Sequence, residues 1–437
     1  MNTSVGNTSN TVTLIGISIA TVVVLSCYRR MGRYILTCCI KYGMNPSDPA
    51  VGQILPERTA SAASSALVQD GMATGMFQHK SILIIGGTRG VGYGLAVALA
   101  QAGAAAAPRR ITLVGRNAQT GQRAVATIRQ QLQQTTQEAR TAGTTTERGT
   151  STHIEYLQGD LGSAASTQVL IARLQQPQQE SQSQSQHEHK HKQRYDYLIV
   201  TAAVLTAPPY RNPVPLNHDG IEKCFGIGVV GRFLLYRQAH TFMTSTSTKT
   251  TLKSQSQSPL YSSPLIWNVC AAGDGKAGFD RTLVRALATP IHFHNDANYA
   301  IGNELMLRQF MLHPEPNTAS SSRIPMITSH PGFIATELLH DQGWFVALLV
   351  PILCHFIGTD VYESGRRELA KLCAISQTLA TVPSPPLPLR GLTMVDHYGI
   401  GRTINAGMEH DMAKHGAWLW KLLLKIEEGE DIQKYQD

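Results

Sequence analysis

A buried strand that runs into a glycine-rich turn constrains this chain more than any other feature. The apolar run Ser81–Ile85 leads directly into Gly86–Gly92, where Gly86, Gly90 and Gly92 are spaced G-x-x-x-G-x-G, and a helical pattern follows. Glycines leave the main-chain amides of such a turn bare, and the partial positive charge of a helix start favours an anion there. The turn predicts a binding site for the pyrophosphate of a dinucleotide. The alternative is a structural turn that merely needs glycine.

Apolar strands alternate with helical patterns along the chain, and this alternation predicts the fold. The predicted strands are Ser81–Ile85, Arg110–Gly115, Ile154–Leu157, Tyr197–Val200, Leu265–Val269 and Ile324–Ser329. The predicted helices are Gly94–Ala106, Ala118–Leu132, Gly220–His240 and Asp296–Leu312. Such alternation is typical of a parallel sheet covered by helices on both faces. We therefore expect an α/β fold: a doubly wound, Rossmann-type three-layer sandwich.

Low-complexity segments interrupt this predicted domain. Runs of Gln, Ser and Thr near residues 131–152, 175–193 and 244–258 contain too few apolar residues to offset the entropy cost of ordering them. We interpret them as insertions between elements. The chain then divides into a tail and membrane anchor at 1–45, a linker at 46–78 and a single Rossmann-type domain at 79–437.

The N-terminal region predicts attachment to a membrane. Thr11–Cys27 is an uncharged, mostly apolar run of 17 residues followed by Arg29, Arg30 and Arg33. A cleaved signal peptide carries its basic residues before the apolar run, whereas a signal anchor can carry them after it. We expect an anchor in the endoplasmic reticulum membrane with the domain facing the cytosol; a peripheral or organellar targeting segment is the alternative. The apolar run at 347–357 is too short to span a bilayer.

Charge and cysteine content exclude several classes of function. The formal net charge is +8, but the basic residues are dispersed and form no dense patch with aromatic residues, so we expect no nucleic-acid partner. The seven cysteines form no C-x-x-C pair, which argues against a disulfide framework or a zinc site. The His-rich stretch 187–192 lies in a Gln/Ser tract and is interpreted as a solvated loop, so no metal site is predicted. A homodimer is compatible with the pattern.

Two arginines bear on the choice of cofactor. Arg116 follows the second predicted strand, where proteins that prefer NAD usually carry an acid for the ribose 2′-hydroxyl. Arg89 lies inside the glycine turn. A guanidinium matches a 2′-phosphate in charge and in geometry. The pattern favours NADP(H), and NAD(H) stays possible.

These features resemble the short-chain dehydrogenase/reductase family over about residues 80 to 425. Thr201–Ala203 stands where the family has N-A-G, and Pro331–Thr336 matches its P-G-x-x-x-T. The segment 330–338, HPGFIATEL, is similar to the retinol-dehydrogenase-like branch, whereas 271–273 and 303–306 resemble divergent fungal-type relatives. The resemblance, with the two arginines, implies cofactor contacts at Gly86, Thr88, Arg89, Gly90, Val91, Gly92, Arg116, Asp160, Leu161, Ala202, Ala203, Tyr299, Pro331, Gly332 and Thr336.

The catalytic positions of this family are mostly substituted here. The serine of the family's N-V-S-S is Cys270, the lysine of Y-x-x-x-K is Asn303, and the supporting asparagine is Gly228, so only Tyr299 is kept. Asn303 carries no charge that would favour a phenolate, so alcohol oxidation, which needs a base, should suffer most. Carbonyl reduction needs a proton donor, which a neutral phenol can be. The resemblance implies Tyr299 as the catalytic acid and Asn303 as the residue that positions the cofactor.

Three hypotheses follow. The first is a membrane-attached NADP(H)-dependent oxidoreductase that transfers hydride to or from a small lipophilic carbonyl or alcohol. The second is a catalytically impaired protein that binds the cofactor as a sensor or scaffold. The third is a structural protein in which the glycine turn is vestigial; the intact turn, Arg116 and Thr336 argue against it.

Overall fold

The computed structural model describes most of the predicted domain. The described residues are 76–101, 107–141, 152–176, 194–204, 216–243, 264–270, 278–284, 293–313, 324–331, 334, 359–381, 392–395, 401–402 and 406–430. The chain separates into two units, Met1–Asp48 and Pro49–Asp437, and every described residue belongs to the second. No helix within the described part combines the length and the apolar character needed to cross a bilayer. The predicted anchor and the run at 347–357 lie outside the described residues, as does the His-rich stretch.

The strands form one sheet of eight in the order β3-β2-β1-β4-β5-β6-β7-β8. The first seven pair in parallel, and β8 pairs antiparallel with β7. The strands are β1 (Ser81–Ile85), β2 (Arg110–Gly115), β3 (His153–Gln158), β4 (Tyr197–Val200), β5 (Leu265–Val269), β6 (Met326–Ser329), β7 (Leu392–Val395) and β8 (Gly401–Arg402). All six predicted strands are confirmed to within two residues. The last two strands were not predicted.

Helices connect the strands and cover the sheet. They are α1 (Gly90–Ala100), α2 (Ala118–Thr141), α3 (Ala164–Gln175), α4 (Lys223–Phe225), α5 (Arg232–Arg237), α6 (Ala239–Phe242), α7 (Arg281–Val284), α8 (Phe293–Leu312), α9 (Val361–Thr381), α10 (Ala406–Asp411) and α11 (Ala417–Glu427). Two π-helical stretches, Gly226–Gly231 and Met412–Gly416, join α4 to α5 and α10 to α11.

The prediction of an insertion from residue 131 is wrong at its N-terminal end. Helix α2 continues through the Gln- and Thr-rich segment to Thr141. Gln is a good helix former, and the hydroxyls of Thr135, Thr136 and Thr141 find acceptors within the helix, the main-chain carbonyls four residues earlier. Low apolar content alone was therefore a poor indicator here.

Two other helix predictions have wrong bounds. Helix α1 starts at Gly90 and ends at Ala100, so it begins directly after the turn rather than at Gly94. The predicted helix Gly220–His240 is divided into α4, the first π-helical stretch, α5 and α6. Glycines at 226, 228 and 231 permit this change of pitch because they are small enough for close packing.

Alternating residues of the strands enter two separate cores, which confirms the doubly wound fold. Leu83, Ile85 and Leu198 belong to a core shared with α5, α8 and α11. Ile82 and Ile84 belong to a second core on the opposite face, shared with α1, α2 and α9. Because neighbouring strand residues point to opposite faces, this division shows that both faces of the sheet are covered.

Helices α1 and α9 touch through their main chains. A Cβ at Gly94 would collide with the carbonyl group of Val361, and a Cβ at Gly365 would collide with the main chain of Gly94. This crossing holds the start of α9 against α1, the helix that follows the glycine turn.

The apolar C-terminal segment packs on the core. Trp420 of α11 makes edge-to-face contacts with Phe233 and Phe310, at centroid distances of 5.3 and 5.1 Å. Leu419, Leu422, Leu423 and Ile426 of the same helix are buried. Helix α11 thus covers α5 and α8 on the face that carries Tyr299.

Candidate cofactor and active site

The glycine turn packs against the loop that follows β4. Gly86 has φ +87° and Gly90 φ +58°, in the region where residues with side chains are strained. A Cβ at Gly86 would lie 2.6 Å from the amide nitrogen of Ala202, and a Cβ at Gly92 would lie 2.7 Å from the carbonyl oxygen of Gly86. Gly86 and Gly92 are required because a side chain at either position would collide with the main chain. Gly86 and Gly90 are required because their φ angles are positive.

The start of α1 has the properties of an anion site. Arg89 is the N-cap residue but makes no side-chain cap, and the first turn contains no acidic residue. The amides of Gly86 and Gly87 donate to the carbonyl oxygen of Val114, whereas the first amides of a helix have no partner within the helix. Uncapped amides, the helix dipole and a nearby arginine fit a pyrophosphate.

The structure places the predicted 2′-phosphate residues beside this turn. Arg116 is exposed directly after β2. The side chain of Thr88 lies against Gly115, the last residue of β2. Arg89 donates to Thr120 Oγ1, 3.4 Å away, in the first turn of α2. These residues fit a phosphate group on the adenosine ribose.

The ends of β3 and β4 bring further predicted cofactor residues to the same edge of the sheet. Asp160 accepts a hydrogen bond from the amide of Gly162 at 2.9 Å, which fixes the loop after β3. Leu161 is buried and packs on Gly231. Ala202 is half-buried and Ala203 exposed after β4, and Val91 is half-buried at the start of α1. Pro331 follows β6, half-buried; Gly332 and Thr336 lie outside the described residues.

Tyr299 and Asn303 lie one turn apart on α8 and both meet Gly228. The ring of Tyr299 packs on Gly228, where a Cβ would lie 2.5 Å from Tyr299 Cδ2. Asn303 Nδ2 donates to the carbonyl oxygen of Gly228 at 2.6 Å, and Asn303 Oδ1 accepts from Asn268 Nδ2 at 2.9 Å. Asn303 is 1% exposed, so its amide serves partners within the protein. Gly228 thus contributes a carbonyl group and the space for the ring.

Arg232, which lies one helical turn after Gly228, was not among the site residues predicted from the sequence. Its side chain is 0% exposed. Nη1 donates to Asn268 Oδ1, and Nη2 donates to the carbonyl oxygens of Ala202 and Val269 at 2.9 and 3.0 Å. The available signal was a single arginine inside the apolar stretch IGVVGRFLLY, where a solvated side chain has no room.

Asn268 of β5 is the centre of this buried network. Besides Arg232, its Oδ1 accepts a hydrogen bond from the Tyr236 hydroxyl at 2.7 Å, and its Nδ2 lies 3.3 Å from Thr328 Oγ1. Burial raises the pKa of Tyr236 above its ordinary value, so the hydroxyl stays protonated and donates. The next position but one, Cys270, is buried where the family has a serine hydroxyl, and a thiol is a weak donor.

A buried ion pair anchors the end of β6, directly before Pro331. Lys371 and Glu368 of α9 form the pair and are 3% and 1% exposed. Lys371 Nζ donates to Ser329 Oγ at 2.6 Å and to the carbonyl oxygen of His330 at 3.1 Å, and Glu368 Oε2 accepts from Trp267 Nε1 at 3.0 Å. Both charges are therefore satisfied by several partners.

No protein-family model matches the chain, and no curated protein matches it. Solved structures similar to it include a MalC reductase/Diels-Alderase from Malbranchea aurantiaca, with 15% identity over 71% of this chain and 93% of that chain and a TM-score of 0.44. A short-chain dehydrogenase from Sphingobium yanoikuyae in complex with NADPH has 17% identity over 70% and 88%, with a TM-score of 0.38. A short-chain type dehydrogenase/reductase from Mycobacterium ulcerans has 15% identity over 75% and 93%, with a TM-score of 0.38. All three identities are below 25%, so the function of this chain is inferred from the residues of its site.

Replacing Lys371 with Met should destabilise the protein by about 3–5 kcal/mol, because Glu368 would be left buried and unpaired. Urea unfolding measures the change. The double variant Glu368→Gln/Lys371→Met should recover part of the loss. As a control, Glu363→Gln removes a half-exposed ion pair with Arg367 and should cost less than about 1 kcal/mol. If Lys371→Met lowers the free energy of unfolding no more than Glu363→Gln does, Lys371 is not the essential partner of a buried Glu368 charge.

Proposed function

We propose that the chain is an NADP(H)-dependent oxidoreductase of the short-chain dehydrogenase/reductase type. The observation that carries the proposal is the glycine turn closed against Ala202, with the uncapped start of α1 above it. In open α/β sheets, ligands bind at the carboxyl ends of the strands, where the strand order changes direction. Here that point lies between β1 and β4, the strands that precede the turn and Ala202.

The residues around the turn support the phosphorylated cofactor. Thr88, which precedes Arg89, packs on Gly115, which precedes Arg116, at the end of β2, the position at which the adenosine ribose is recognised. No acid stands directly after β2 to bind a free 2′-hydroxyl. We therefore favour NADP(H) over NAD(H), with Asp160, Leu161 and Ala203 beside the adenosine.

Tyr299 is the general acid of the proposed carbonyl reduction. When bound, NADPH supplies a hydride to the substrate carbonyl carbon. The Tyr299 hydroxyl gives its proton to the carbonyl oxygen, so an alcohol is formed. Gly228 and Asn303 hold the helix that carries Tyr299 at a fixed distance from the ends of β4 and β5. Because Cys270 replaces a hydroxyl donor, we expect a slow reaction.

A second function has its own support. The three substituted positions at Cys270, Asn303 and Gly228 leave the cofactor turn intact, which is the pattern of a protein that binds NADP(H) as a sensor or scaffold without turnover. The two functions differ in one measurement, the oxidation of NADPH in the presence of a lipophilic carbonyl compound.

We also propose that the chain is attached to the endoplasmic reticulum membrane by Thr11–Cys27, with the domain in the cytosol. The uncharged run followed by Arg29, Arg30 and Arg33 supports this orientation. A membrane-attached reductase meets substrates that dissolve in lipid, so we propose a lipophilic carbonyl or alcohol as the substrate class.

Titration of the purified protein should show tighter binding of NADPH than of NADH. Arg116→Asp should weaken NADPH binding by about tenfold or more, because it replaces a phosphate partner by a like charge, while NADH binding should be unchanged or improved. Arg123→Asp, an exposed charge change on α2, is the matched control and should leave both affinities unchanged. Absence of binding of either nucleotide would refute the proposed function.

Tyr299→Phe should reduce the rate of NADPH-dependent carbonyl reduction by about a hundredfold while leaving NADPH affinity within about twofold, because only the proton donor is lost. Assays of NADPH oxidation with aliphatic, steroid and retinoid carbonyls measure the rate. Tyr362→Phe, a change at an exposed tyrosine, is the control. Unchanged turnover in the Tyr299→Phe variant would exclude Tyr299 as the acid.

The full chain should stay in the membrane pellet after extraction at alkaline pH, because an apolar helix in a bilayer is not released by removing charge interactions. Deletion of residues 1–45 should release it to the supernatant. If the full chain is extracted at high pH, the segment is a peripheral or targeting sequence instead.

A further inference from the structure

We propose that Arg232 is the positive charge of the candidate active site, in place of the lysine of the Y-x-x-x-K pattern, and that it acts through Asn268 and Asn303. The proposal rests on the proposed function and deepens it. Arg232 is a positioning residue in this role, because its described hydrogen bonds go to Asn268 and to main-chain carbonyls.

The first argument is the environment of the charge. Arg232 is fully buried, and within the described part of the chain no carboxylate forms an ion pair with it. Its Nε is buried without a hydrogen-bond partner. A buried cation with neutral partners is costly to a fold, and such groups are concentrated at functional sites.

The second argument is the direction of the hydrogen bonds. A guanidinium can only donate, so Asn268 must turn its oxygen towards Arg232. Asn268 then presents Nδ2 to Asn303 Oδ1 at 2.9 Å, and Asn303 presents Nδ2 to the carbonyl oxygen of Gly228 at 2.6 Å. Both amide dipoles point their positive ends away from the guanidinium. The series thus extends the positive potential of Arg232 towards the turn of α8 that carries Tyr299.

The third argument is the place that the charge occupies. Asn303 follows Tyr299 by four residues, so the two lie on the same side of α8. Gly228 precedes Arg232 by four residues and touches the ring of Tyr299. A lysine at position 303 would bring a second cation to the side-chain amide of Asn268, which Arg232 already polarises. Arg232 and a lysine at position 303 are therefore alternative sources of one positive charge beside Asn268.

A clamp without an electrostatic role is the competing explanation. Arg232 Nη2 joins the carbonyl oxygens of Ala202 and Val269, and so ties the ends of β4 and β5 together. A clamp depends on the shape of the guanidinium, whereas the proposed role depends on its charge. The two are separated by moving the charge from position 232 to position 303.

The experiment is a double-mutant cycle on the full chain with Arg232→Met, Asn303→Lys and both changes together. Thermal unfolding without cofactor is the first readout, and Asn303→Met is the uncharged control at position 303. We expect Asn303→Lys to be less stable than Asn303→Met when Arg232 is present, and more stable in the Arg232→Met background. If the proteins that carry Arg232→Met do not fold, the comparison in the background with Arg232 intact decides; equal stability of the two position-303 variants there overturns the proposal.

The second readout is NADPH-dependent reduction, with kcat and KM measured separately. Arg232→Met should lower kcat by about tenfold or more, Arg232→Lys should lose less, and Arg232→Met/Asn303→Lys should regain a large part of the loss. The control is Arg237→Met, on the same helix as Arg232; it breaks a partly buried ion pair with Glu427 and should not change kcat.

The outcomes keep this proposal separate from the proposed function. Failure of the wild-type protein to bind NADPH refutes the proposed function, while the stability cycle still tests whether the cations at positions 232 and 303 exclude each other. Two results together would overturn the inference: purely additive effects on stability in the cycle, and equal losses of kcat in Arg232→Lys and Arg232→Met. Arg232 would then only tie the ends of β4 and β5 together, without an electrostatic role.

Discussion

The contact between the turn after β1 and the loop after β4 determines the rest of the site. Gly86 lies so close to Ala202 that a methyl group has no room between them, and the amides of Thr201 and Ala202 donate to the carbonyl oxygen of Ile85. This contact fixes the direction in which α1 leaves the sheet. It also places Ala202, whose carbonyl oxygen accepts a hydrogen bond from Arg232, next to the helix start. The glycine turn and the buried network around Arg232 therefore both contact the main chain of Ala202.

Local patterns in the sequence predicted the sheet and most of the cofactor edge. The strands β1, β2, β4 and β5 are mostly apolar, and parallel strands end at the same edge, so residues such as Arg116, Asp160 and Ala202 were expected to come together. The extension of α2 to Thr141 was missed because the segment has few apolar residues, although Gln, Glu, Ala and Arg favour a helix by propensity. The strands β7 and β8 depend on pairing at the sheet edge, which no local period records.

The buried network could not be predicted because it depends on contacts between distant segments. Asn303 was selected as a substitute for a lysine, but its partners Asn268 and Gly228 lie 35 and 75 residues away in sequence. Arg232 was missed for the same reason, since a charged residue in an apolar helix gives no indication of which carbonyl groups it meets. Likewise Lys371 and Glu368 meet Ser329 only through the packing of α9 on the sheet.

The pair of asparagines has a consequence for proton supply. A carboxamide can hold a hydrogen bond but does not take up and release protons near neutral pH, so the series from Arg232 to Gly228 is no path for proton exchange. A phenol that has given away its proton in one turnover must regain it before the next. For Tyr299 that proton therefore cannot arrive through Asn268 and Asn303, and it has to reach the phenol by a route outside this network.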